Sequence, residues 1–138
     1  MAVSISWMDR AQSVILVNYD TFGNRTTPGK LIDSTQVYTH IQQMSCAAPH
    51  AVDTIVDFSA AHGAVPIQTL TQIRRASGGY HLDSGMIAFV SKQDTITRLI
   101  ELMRRSSPSL AQQSVITRNR HDALAVIRVA RRQRAHTA

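Results

Sequence analysis

The sequence predicts an α/β fold: a mainly parallel five-stranded sheet with an N-terminal β-hairpin and about four helices. Three observations lead there. Side-chain polarity switches several times between a two-residue and a near-four-residue rhythm. Pro28, Gly63, Pro66, Gly78, Gly79 and Pro108 punctuate the switches, as turn and cap residues do. The 138 residues are 43% hydrophobic and 17% charged, enough to bury one core and too apolar for a disordered chain.

The elements follow in order. Val3, Ile5 and Trp7 alternate with Ser4 and Ser6, the pattern of a half-buried strand. Asp9 and Arg10 suit a turn, and residues 13–19 form a stronger, β-branched strand that completes the hairpin. Residues 21–27 are polar and read as loop. Pro28 suits the first position of a helix, and Leu31, Val37, Tyr38, Ile41 and Met44 place one apolar stripe along it.

Residues 52–58 form a central strand, followed by a loop over 59–64. A helix begins at Pro66, turns Ile67, Leu70 and Ile73 inward, and stops at Gly78 and Gly79. Residues 85–90 are nearly all apolar, as in a strand covered on both faces. Asp94 can cap the next helix, where Ile96, Leu99, Ile100 and Met103 recur at i, i+3, i+4 and i+7 and Arg98, Glu101, Arg104 and Arg105 fall on the wet side. Pro108 breaks that helix. Residues 114–117 are a short strand, and Asn119 or Asp122 can cap a last helix with Ala123, Leu124 and Ile127 inside. The chain reads as one domain over 1–138, with 129–138 a basic tail expected to fray.

Composition narrows the function classes. No apolar run approaches the roughly 18 residues of a membrane span. The opening residues lack the basic and long apolar regions of a signal peptide. The single cysteine, Cys46, has no internal partner, which favours a reducing, cytoplasmic setting. None of the six histidines pairs with another at metal-ligand spacing, so neither a metal nor another cofactor is expected.

The net charge is +6, but Arg128, Arg131, Arg132 and Arg134 crowd the C-terminus, and the rest of the chain is only mildly basic. Base stacking on single strands needs aromatics, which are 5% here and missing from the tail. A solvated helix end is expected there, not a specific nucleic-acid site.

Ligands of an open α/β sheet meet the loops at the carboxyl ends of the strands. Three segments stand there: residues 57–66, 91–94 and 117–122. The first carries Asp57, Ser59 and His62 next to a helix start. A partner's carboxylate or a phosphate could bind at such a place; the simpler role for Asp57 and Ser59 is to satisfy loop backbone groups. Ser59 and His62 can also be drawn as nucleophile and base with Asp57 as orienter. Sequence neighbours rarely give that geometry, and Ser59 is not in a Gly-x-Ser-x-Gly elbow. His121 falls on the same edge.

Four stretches carry a family resemblance: Thr54-Ile55-Val56-Asp57-Phe58-Ser59, Leu70-Thr71-Gln72-Ile73-Arg74-Arg75, Gly85-Met86-Ile87-Ala88-Phe89-Val90 and His121-Asp122-Ala123-Leu124. In this element order they resemble the STAS domain of anti-sigma-factor antagonists, and more closely the bacterial SpoIIAA-like proteins, over roughly residues 4–127. In the antagonists, an Asp-Leu-Ser-like strand end precedes an Asp-Ser-Ser-Gly-like stretch whose serine a partner kinase phosphorylates. Asp57, Phe58 and Ser59 match the first part. Val65-Pro66-Ile67-Gln68-Thr69-Leu70 stands in place of the second, no residue matches the phosphoacceptor serine, and Thr69 is the nearest hydroxyl.

The resemblance implies a non-enzymatic regulatory or protein-interaction module. Its partner would be a protein, such as a kinase or an anti-sigma-like regulator, or a second copy of the chain. Asp57, Ser59, His62, Thr69, Arg74 and Arg75 are the candidate binding residues. A small-ligand or lipid-binding domain, and a small hydrolase using Ser59 and His62, are the alternatives.

Overall fold

The described strands lie in one sheet, in the order Lys30–Ile32, Ala2–Trp7, Val14–Asp20, Asp53–Ala60, Ile87–Val90 and Ser114–Thr117. The computed structural model describes residues 2–20, 30–32, 36–60 and 85–137. His62, Thr69, Arg74 and Arg75, and the helix expected from Pro66, lie outside them. The strands are β1 (Ala2–Trp7), β2 (Val14–Asp20), β3 (Lys30–Ile32), β4 (Asp53–Ala60), β5 (Ile87–Val90) and β6 (Ser114–Thr117). The helices among the described residues are α1 (Val37–Ala47), α2 (Asp94–Ser106), α3 (Pro108–Gln113) and α4 (Arg120–Thr137).

The chain is α/β, and its sheet is mixed. The expected hairpin is present, with β1 antiparallel to β2, and β1 also pairs antiparallel with β3. From β2 onward, β4, β5 and β6 add in parallel. β3 makes a sixth strand where the helix from Pro28 was expected. Apolar spacing over so few residues cannot separate a helical turn from a short strand. Here Lys30–Ile32 pairs with the open side of β1 and occupies its backbone groups. The helix begins only at Val37, and Val37 and Ile41 are buried.

Two apolar layers sandwich the sheet. One face carries Val3, Ile5, Ile15, Val17 and Phe58, packed with Ile41 of α1 and Ile96, Ile100 and Met103 of α2. The other face carries Val14, Leu16, Ile55, Ala88 and Val90, packed with Ala123 and Ile127 of α4. Successive strand residues point to opposite faces. Asp53, Ile55 and Asp57 therefore share the α4 side of β4, and both aspartates are buried.

Local signals explain most helix ends. Asn119 caps α4: its Oδ1 accepts from the Asp122 amide at 2.8 Å, and its Nδ2 donates to Asp122 Oδ2 at 3.2 Å. α2 differs from expectation. Gln93, in extended backbone, precedes it without a side-chain cap, and Asp94 is already helical and complements the dipole in the first turn. Pro108 does more than break α2, because it opens α3 behind Ser107, whose Oγ accepts from the Leu110 amide at 3.4 Å. Arg104 leaves the wet side of α2: Nε donates to Ser114 Oγ at 3.0 Å and Nη2 to the carbonyls of Ser114 and Ala111 at 3.2 and 3.3 Å.

The tail is helical through Thr137. The reason is a buried carboxylate at the start of β4. Arg134 grips Asp53 with both terminal nitrogens, at 2.9 and 3.0 Å, and Arg131 Nε reaches Asp53 Oδ2 at 2.7 Å. Arg131 Nη2 also donates to the Ser13 carbonyl at 2.7 Å. The Met86 amide adds a bond to Asp53 Oδ1 at 2.9 Å. Gly85 makes the close approach possible. With φ +85°, a Cβ there would stand 2.6 Å from the Val52 carbonyl oxygen and 2.8 Å from Asp53 Oδ1.

Burial pushes the Asp53 carboxyl up, but the bonds from Arg134, the Met86 amide and Arg131 outweigh it and hold the group below its ordinary 3.8. A depressed folded value means the unfolded chain takes the proton first as acid is added. The stabilisation is therefore complete above the ordinary aspartate value and is lost as pH falls through the folded value. Urea midpoints measured from about pH 5 down to about pH 2 should fall more steeply for the natural chain than for Asp53→Asn. Parallel pH profiles for the two proteins would contradict the ion-pair account.

Candidate functional site

The carboxyl edge of the parallel strands is built on the same strand face, four residues along from Asp53. The register sets Ser4 of β1 beside Asn18 of β2, and Asn18 beside Asp57 of β4. All three are buried, at 3%, 4% and 0% exposure, so a polar row crosses three adjacent strands inside the fold. Such a row persists only if its groups are bonded.

Arg120, the first residue of α4, supplies much of that bonding. Its Nε donates to Asp57 Oδ2 in a close ion pair, and its Nη2 donates to Asn18 Oδ1 at 3.1 Å. The Asp57 side chain is 1% exposed and that of Arg120 41%, so the anion is sealed while its cation reaches the surface. The other oxygen, Asp57 Oδ1, accepts from the Ser59 amide at 2.8 Å. That is the simpler role foreseen for Asp57, a side chain satisfying nearby backbone.

The strand is irregular at this point. Asn18 stands opposite Asp57 but Asp20 opposite Ala60, so Phe58 and Ser59 together face Tyr19. This bulge twists the strand end, and the Asp57 carboxylate takes up the Ser59 amide there. Below it, on the opposite face, Phe58 stacks on Tyr19 with centroids 4.7 Å apart and planes at 16°. Burial raises the Tyr19 phenol well above its usual value and keeps it neutral.

Ser59 belongs to β4, which runs to Ala60, and not to the expected loop. Thr117, at the end of β6, donates its hydroxyl to the Phe89 carbonyl at 3.2 Å and ties the β6 turn to β5. Arg118 and His121 are exposed beside it. Of the six candidate residues, the described structure thus places Asp57 and Ser59, and it joins them to Asn18 and Arg120, which the sequence reading had not selected.

Asn18 carried one signal, a lone amide among apolar residues of β2. Arg120 carried only its place in the segment over 117–122 at this edge. Among the described residues, no group of three or more His, Cys, Asp or Glu side chains could hold a metal ion. No described helix is long and apolar enough to cross a membrane. No family model, curated protein or solved structure matches this chain.

A buried carboxylate that loses its cation is costly, and here the arginine is partly wet, which moderates the loss. Arg120→Ala should lower stability by about 1–3 kcal/mol. Combined with Asp57→Asn, the double variant should be clearly more stable than the sum of the single losses, read as urea midpoints in a double-mutant cycle. Strict additivity would show that the pair is not coupled.

Proposed function

We propose that this chain is a non-enzymatic, STAS-like regulatory module that binds a protein partner at the carboxyl edge of its sheet. Residues 59–69 form the docking segment, and His62, Thr69, Arg74 and Arg75 are its proposed contact residues. The observation that carries this reading is the state of Asp57. Both its oxygens are engaged, one by Arg120 and one by the Ser59 amide. A carboxylate whose two oxygens each take a bond from the fold's own groups braces a surface. Arg120, half in water above the buried anion, gives this edge a rigid polar rim suited to recognition.

The test is affinity enrichment from the native host with the full chain. Arg74→Glu and Arg75→Glu should each weaken capture of a discrete protein by about tenfold or more, with the thermal midpoint unchanged. Retention of every captured protein by both variants would remove the proposed docking residues. Ester turnover abolished by Ser59→Ala would replace the reading with the hydrolase, and a lipid seen in native mass spectra of gently extracted protein would replace it with the ligand-binding domain.

A further inference from the structure

We infer that the outer flank of α4 is a second docking surface, shaped for an acidic helical segment of a protein partner. The charge of the chain is polarised. Residues 92–137 hold ten basic and three acidic side chains, while the residues before them hold five basic and six acidic. The structure accounts for several of these cations. Arg120 pairs with Asp57, Arg131 and Arg134 pair with Asp53, and Arg104 ties α2 to Ser114. Arg128 and Arg132 take no part in those contacts, and both are exposed.

Neither of two ordinary explanations covers them. The helix dipole favours cations only within the last turn, and α4 continues to Thr137, five residues beyond Arg132. Local pairing does not apply either, since no acidic residue occurs between Leu124 and His136. Arg128 and Arg132 are instead like charges at i and i+4, an arrangement that costs a helix a few tenths of a kcal/mol.

The same flank carries exposed His121 two turns before Arg128, and Val129, 49% exposed, lies three residues before Arg132 and beside it. Arginine beside exposed apolar surface is a common feature of protein contacts. The i, i+4 arginines stand about 6 Å apart, the spacing of glutamates at i and i+4 on a facing helix. Each guanidinium can grip a carboxylate with two bonds. A nucleic-acid strand fits less well, because it calls for a longer basic track or stacking aromatics, and aromatics are 5% of the chain.

The experiment titrates isotope-labelled full chain with an alanine-based helical peptide carrying glutamates at i and i+4. The expected result is amide shifts centred on Arg128, Val129 and Arg132. The double variant Arg128→Glu/Arg132→Glu should weaken binding by about tenfold or more. Arg98→Glu on α2 should bind as the natural chain does. These arginines are exposed, so the folds should survive, and thermal midpoints verify that. Equal losses in both variants, or shifts spread over α2, would overturn the inference in favour of general charge attraction. A short DNA duplex that binds more tightly than the peptide and depends on the same two arginines would overturn it in favour of nucleic acid.

Discussion

The fold depends on two carboxylates buried on one face of one strand. Asp53 and Asp57 stand four residues apart on β4, and each is neutralised by arginines from α4. Along an extended strand four residues cover about 13 Å. Along a helix the eleven residues from Arg120 to Arg131 cover about 16 Å. Long side chains close that small difference. The helix therefore runs antiparallel to β4, pinned at both ends, with Ala123 and Ile127 pressed onto Ile55, Ala88 and Val90 between the pins.

Apolar packing and the ion pairs fix the same register. A shift of four residues would put Ala123 or Arg131 where the buried Ile127 sits and would also leave two carboxylates in the interior without cations. Buried ion pairs often add little net stability, yet breaking one is costly. Here the pairs discriminate between registers of α4 on the sheet. The right register also places Arg120 on Asn18 and Asp57, so the geometry of the carboxyl edge follows from a clamp that includes the opposite end of the helix.

How much of this could be read from the sequence follows the range of the interactions. The β1–β2 hairpin, the strands at Ile87–Val90 and Ser114–Thr117, and the Ile96, Ile100 and Met103 stripe were legible because each is a local pattern. β3 was not, because three residues are too few to show a period and their pairing depends on β1. Asp57 and Ser59 were legible as an edge because a polar pair follows an apolar strand. Their cation was not: Arg120 lies 63 residues away, and Arg131 and Arg134 lie 78 and 81 residues from Asp53. The bulge at Phe58 and Ser59 was hidden for the same reason, since only the register against β2 defines it.

The terminal arginines show why this distinction bears on function. In the sequence Arg128, Arg131, Arg132 and Arg134 are one basic cluster with one explanation. In the fold, helical rotation sorts them into two pairs. Arg131 and Arg134 turn inward and are matched by one carboxylate, with the Ser13 carbonyl as a further partner. Arg128 and Arg132 turn outward and meet no such match. A count of positive charge overstates what the surface offers, because part of it neutralises the interior. Only the outward pair can act on something beyond the chain, and its chemistry is that of a few positioned guanidinium groups on a rigid helix, not of a diffuse basic tail.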